Sequence, residues 1–121
     1  MKGRRPTRAR HLPAVMGALA GLLLACSAAP VGGEPVATET VNLPPSYRFE
    51  PALITVPAGT NVTWTNNDHF THNVRVGEAG EPLLMRPGES VSHEFPTAGT
   101  YDYVCTLHPN DMQGRVIVTE D

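Results

Sequence analysis

Four side chains in this sequence could together hold a soft, redox-active metal ion: His72, Cys105, His108 and Met112. The last three form a Cys-x₂-His-x₃-Met segment, and His72 lies 33 residues before Cys105. Two imidazoles, one thiolate and one thioether are a donor set for a mononuclear copper centre. Sulfur favours Cu(I), imidazole accepts Cu(II), and a geometry between the two preferences suits one-electron transfer. Cys105 must be deprotonated to bind, so metal loading releases a proton. Each residue alone has a plainer reading, because a single cysteine is more often a small buried hydrophobe than a ligand. The joint spacing is what argues for a metal. His69, three residues before His72, is expected to face solvent. His93 shares strand parity with Val91 and Phe95 and is read as a satisfied inward histidine.

These donors need a scaffold that brings separated loops to one point. From Tyr47 onward the apolar residues alternate with period two: Ile54 and Val56, then Val62 and Trp64, Val74 and Val76, and finally Tyr101, Tyr103 and Cys105. Turn signals separate them, among them Pro57-Ala58-Gly59 and Asn66-Asn67-Asp68. Short strands punctuated every 8–12 residues or so imply an all-β sandwich. The run Arg115-Val116-Ile117-Val118 is nearly all apolar and reads as a fully buried strand. Cys105 then ends one strand and Gly114 opens the next, so the ligand segment is a loop at one end of the sandwich. His72 follows the Asn-Asn-Asp break and can project from a neighbouring loop. Trp64 is expected in the core, and Met85 either in the core or on the rim of the site.

Residues 1–25 have a different character. Lys2, Arg4, Arg5, Arg8 and Arg10 precede an apolar run from Leu12 to Ala25, the pattern of an export signal and too short to span a bilayer. Leu23-Leu24-Ala25-Cys26 resembles the bacterial lipoprotein processing box, which implies cleavage before Cys26 and lipid attachment to its thiol. Ordinary cleavage after Ala29 is the alternative. Residues 26–46, rich in Pro, Gly, Ala and Thr, read as a lipidated cysteine and flexible tether, although Val36 to Leu43 could supply a first edge strand. Residues 47–121 are then the metal-binding domain.

Several segments in order resemble the plastocyanin/amicyanin branch of the cupredoxins. They are Phe49-Glu50-Pro51, Ile54 to Thr60, Val62 to Asn66, His72-Asn73-Val74, Gly99 to Tyr103, Cys105 to Pro109, and Met112 to Val116. The resemblance covers roughly residues 45–119. It implies a Greek-key β-sandwich of about eight strands binding one type 1 copper ion. His72, Cys105 and His108 would be its equatorial ligands and Met112 its axial ligand. Asn73 matches the position whose hydrogen bonds tie the first histidine's loop to the cysteine loop. The three-residue gap between His108 and Met112 falls between the shorter amicyanin and longer plastocyanin spacings, which leaves Gln113 as an alternative axial donor. Val104 stands where plastocyanins carry a tyrosine used in one electron route. The other route, through the exposed edge of His108, needs a flat apolar surround, for which Leu84, Met85, Leu107 and Pro109 are candidates.

The whole chain of 121 residues has nine basic and twelve acidic residues and a net charge of −3. Removing the leader leaves four arginines against all twelve acids, a net charge of −8. There is no basic footprint for nucleic acid. The two cysteines cannot build a disulfide framework or a four-thiolate zinc site. No catalytic acid–base pair is evident. The expectation is therefore a non-enzymatic electron carrier, monomeric, exported to the periplasm or cell surface and held at the membrane by lipidated Cys26. It would exchange single electrons with protein partners such as a cytochrome or a membrane or dehydrogenase complex. A copper-delivery protein of the cell envelope is the alternative.

Overall fold

A computed structural model describes Gly3 and residues 31–120. Apart from Gly3, the expected export signal lies outside the described residues, as does Cys26. Among the described residues nine strands follow in chain order: β1 (Val36–Ala37), β2 (Thr40–Leu43), β3 (Leu53–Pro57), β4 (Thr60–Asn66), β5 (His72–Val76), β6 (Leu83–Met85), β7 (Ser90–Phe95), β8 (Gly99–Val104) and β9 (Gln113–Thr119). One sheet runs β1-β3-β9-β8-β5-β6 and the other β2-β4-β7. The expected all-β sandwich is present, with one strand more than the approximate count of eight.

The difference arises at the start of the domain. Residues 36–43, assigned to the tether with an edge strand as the alternative, form β1 and β2. β1 pairs parallel with β3, and β2 pairs parallel with β4. Val41 and Leu43 are almost completely buried, so this segment contributes to the core.

Alternation explains the packing of the smaller sheet. On β4, Val62, Trp64 and Asn66 face inward and are fully buried. Thr63 and Thr65 face outward and hydrogen-bond across to Ser92 and Ser90 on β7, each at 2.8 Å. Strand β9 follows the same rule and departs from the expectation of a fully buried strand. Gly114, Val116 and Val118 are buried, whereas Gln113, Arg115 and Ile117 are half-exposed. Ile117 is apolar but occupies the outer face, because β9 is covered on one side only.

Three aromatic rings join the two layers. Tyr103 meets Phe49 edge-on at 4.8 Å and Trp64 at 5.2 Å between centroids. Gly114 is required by this packing, since a methyl group there would overlap the Tyr103 ring. Trp64 is a core residue, and its buried Nε1 has no hydrogen-bond partner. His93 does point along the inward parity of β7, but it is only half-buried and its Nδ1 is buried without a partner. It is therefore not the satisfied histidine that the alternation suggested. Its ring packs against Phe95 at 4.7 Å.

Candidate metal centre

Strand register brings the candidate ligands together. Antiparallel pairing of β5 with β8 sets Arg75 opposite Val104 and Val76 opposite Tyr103. Continuing that register places Asn73 beside Thr106 and the start of β5 beside the end of β8. The side chains complete the pairing. Asn73 Nδ2 donates to Thr106 Oγ1 and Thr106 N donates to Asn73 Oδ1, both at 2.7 Å. Asn73 N also donates to Cys105 Sγ at 3.5 Å. Asn73 therefore joins the first-histidine strand to the cysteine loop at three points.

The β8–β9 ladder ends at the Val104–Gln113 pair, so residues 105–112 are a closed loop. Cys105 N donates to Met112 O at 3.1 Å, and Met112 N donates to His108 O at 3.0 Å. His108 N donates to Cys105 O at 3.2 Å. These backbone bonds hold the three candidate ligands of this loop in one compact turn.

His72, Cys105 and Met112 are all 0% exposed. Cys105 is a free thiol, and its Sγ lies 3.9 Å from His72 Nδ1. Two such donors bound to one first-row ion at about 2.0 and 2.3 Å can lie up to about 4.3 Å apart, so the pair fits a shared ion. The His108 ring lies beside that of His72, with centroids 5.3 Å apart and planes at 68°. Among the described residues no three His, Cys, Asp or Glu side chains form a metal-binding group. Of the four candidate ligands, Cys105 and His72 lie directly together, the His108 ring lies beside His72, and Met112 is buried at the end of the same loop.

Met112 and Gln113 point to opposite faces. Met112 shares the buried parity of Gly114 and Val116, while Gln113 Nε2 donates to Pro109 O at 2.9 Å and braces the outside of the loop. Of the two histidines in the 69–72 segment, His72 is buried and His69 exposed.

Asp68 was not singled out by its sequence, where it looks like one more turn residue. It is 5% exposed, and its Oδ2 lies 2.8 Å from His72 Nε2. The His72 hydrogen bond chiefly holds the Asp68 carboxyl below its ordinary range. Burial acts in the opposite direction, and the His69 backbone N–H adds to the lowering. An ionised carboxylate can only accept, so Nε2 is the donor in this pair, and Nδ1 is the ring nitrogen turned toward Cys105. A carboxylate behind a ligating imidazole is a usual way of fixing ring orientation and raising basicity. Asn66 builds the loop that carries it, because Asp68 N donates to Asn66 Oδ1, and Asn66 Nδ2 donates to Phe70 O and Met85 O.

Exposed apolar side chains are present around this end of the sandwich. Leu107 lies within the ligand loop, and Leu84 pairs with Asn73 across the β5–β6 ladder. Phe70 is 55% exposed, and Tyr47, 36% exposed, stacks on it. Met85 is completely buried and belongs to the core, not to a rim. Tyr47 and Phe70 are additions that the sequence did not mark, because nothing local connects residue 47 with a loop some sixty residues later.

The comparisons with known proteins agree with this geometry. Residues 40–119 match the model for "Copper binding proteins, plastocyanin/azurin family". The chain is 43% identical over 83 residues to a chloroplastic plastocyanin of Tetradesmus obliquus, covering 58% of this chain and 57% of that protein. It is 35% identical over 105 residues to amicyanin-alpha of Methylorubrum extorquens, covering 82% of each. An oxidized amicyanin variant superposes with a TM-score of 0.61 at 35% identity, over 66% of this chain and 80% of that one. A purple cupredoxin from Nitrosopumilus maritimus gives 0.58 at 28% identity, over 66% and 98%. The chain thus spans just over half the length of some curated relatives and most of others. It belongs to the copper-binding proteins of the plastocyanin/azurin family, whose cofactor is one type 1 copper ion.

Proposed function

We propose that this protein is an electron carrier that holds copper through His72, Cys105, His108 and Met112. The observation that carries the reading is the buried pair of Cys105 Sγ and His72 Nδ1, 3.9 Å apart at the closed end of the sandwich. Copper bound there would supply reversible one-electron chemistry between Cu(II) and Cu(I). Cys105 would give up its proton to bind, with the Asn73 N–H donating to its sulfur. Asp68 holds the His72 ring in the tautomer that presents Nδ1. Met112 would supply the thioether donor, a choice supported by its burial and by the Gln113 amide's bond to Pro109 O.

Of the two candidate imidazoles His108 is the half-buried one, and its exposed edge is the route for electrons in and out. The apolar side chains of Phe70, Leu84 and Leu107 at the same end would exclude water from a partner's contact. Val104 offers no aromatic relay for a side route, which favours the His108 edge. The buried Asp68–His72 pair serves to orient a ligand ring, and the reading is of a carrier, not an enzyme.

The leader supports export, and Leu23-Leu24-Ala25-Cys26 supports lipid attachment at Cys26, with placement at the periplasmic or cell-surface face of a membrane. Nine residues separate Cys26 from the first strand at Val36. Such a tether would keep the carrier near membrane redox partners at high effective concentration.

The test is electron self-exchange between oxidised and reduced protein. Leu107→Asp is expected to slow exchange while leaving the visible spectrum unchanged. An unchanged rate with an unchanged spectrum would move the electron route away from His108.

A further inference from the structure

The two candidate imidazoles are held in different ways. His72 gives its Nε2–H to Asp68, whereas the His108 side chain makes no hydrogen bond among the described residues. Its ring is instead flanked by aromatic surfaces. The Tyr47 ring lies 4.6 Å from it, centroid to centroid, with planes at 70°. Tyr47 also meets His72 edge-on at 5.9 Å and stacks on Phe70 at 5.8 Å with planes only 18° apart.

The backbone places Tyr47 there against its own preference. Ser46 and Tyr47 are consecutive non-glycine residues in the left-handed region, with φ of 102° and 53°. That conformation is unfavourable for residues with a Cβ and persists only where surrounding contacts fix it. Two contacts of that kind are visible. The loop is closed at its base by reciprocal hydrogen bonds between Asn42 and Glu50, both at 2.8 Å. At its tip, Phe70 backs the Tyr47 ring, and Phe70 is anchored through its carbonyl to buried Asn66 at 2.8 Å.

We propose that Tyr47 is a positioning residue for His108, holding the imidazole beside His72 and Cys105 by edge-to-face contact. The contact is set by the fold and so exists before metal arrives. It orders the one ligand ring that lacks a hydrogen-bond partner and reduces the entropy lost when that ring binds. Since the ring face does this work, phenylalanine should replace tyrosine and a small residue should not. The proposal rests on His108 being a ligand and is independent of electron transfer.

The test compares the wild type with Tyr47→Phe and Tyr47→Ala in two measurements. The first is NMR of the His69, His72, His93 and His108 ring protons in the metal-free protein. The second is Cu(I) affinity, measured by competition with a chromophoric chelator. The His108 ring protons are expected to lose their ring-current shift in Tyr47→Ala and keep it in Tyr47→Phe, while His72, fixed by Asp68, retains its hydrogen-bonded Nε2–H in both. Cu(I) affinity is expected to fall by about tenfold or more in Tyr47→Ala and by less than about twofold in Tyr47→Phe, within the span seen for groups that support metal ligands. Unchanged His108 shifts in Tyr47→Ala would overturn the proposal, as would an equal loss in Tyr47→Phe. Should the alanine variant not fold, Tyr47→Leu is judged by the same criteria. Failure of the wild type to bind copper would refute the ligand reading, while the metal-free shifts would still decide whether the Tyr47 ring sits against that of His108.

Discussion

Asn73 and Thr106 exchange two hydrogen bonds of 2.7 Å across the gap between the start of β5 and the loop after β8. They lie just beyond the last β5–β8 ladder pair and keep His72 and Cys105 in register where backbone pairing has ended. Removing them acts on the scaffold of the site before it acts on the metal. Asn73→Ala is expected to lower the stability of the metal-free protein by about 2 kcal/mol, at roughly 1 kcal/mol per net hydrogen bond. Denaturant unfolding checks this, and a midpoint equal to the wild type would mean that backbone pairing alone holds the two segments.

The Asp68–His72 pair gives a pH dependence with a definite sign. The Asp68 carboxyl is held below its ordinary value of 3.8, chiefly by the His72 hydrogen bond. Its contribution to stability is therefore complete above 3.8 and is lost as pH falls through the lower folded value. The stability difference between wild type and Asp68→Asn, both metal-free, should narrow with acidification below 3.8. A difference that stays constant through that window would show that the carboxylate charge does not stabilise the fold.

Met112 and Gln113 are adjacent, but Met112 is buried and Gln113 half-exposed. Met112→Leu, at the proposed axial donor, is expected to change the reduction potential, because that donor is one of the main controls of a blue-copper site. Gln113→Ala removes only the bond to Pro109 O and should leave the visible spectrum in place. Voltammetry and absorption on the two variants separate them, and the reverse pattern would give the axial position to Gln113.

Gly114 tests the packing beneath the site. An added methyl group would overlap the buried Tyr103 ring. Gly114→Ala should destabilise the domain by about 1–3 kcal/mol, the usual range for overpacking. A variant as stable as the wild type in thermal unfolding would mean that Tyr103 can move aside without cost.

The sequence showed most clearly what depends on near neighbours. Cys105, His108 and Met112 lie in one loop, so their spacing alone grouped them. Alternation located the inward faces of β4 and β7, since a half-buried strand shows its period directly. What it missed depends on distant partners. Asp68 resembles an ordinary turn aspartate until the fold buries it against His72. Tyr47 approaches His108 only through a left-handed turn, which its residue type does not favour. Ile117 and His93 failed for a related reason: alternation gives the direction of a side chain, but not how much of the other layer covers it or whether a partner waits there. Val41 and Leu43 were similarly masked by a Pro- and Thr-rich surrounding that reads as linker.

The most direct test of the copper reading is titration of the metal-free protein with Cu(II), followed by cycles of reduction and reoxidation. One equivalent is expected to bind with an intense thiolate-to-copper colour that vanishes on reduction, returns on oxidation and is absent in Cys105→Ser. A colourless complex, a colour that persists in Cys105→Ser, or a bound ion that cannot be cycled would contradict it.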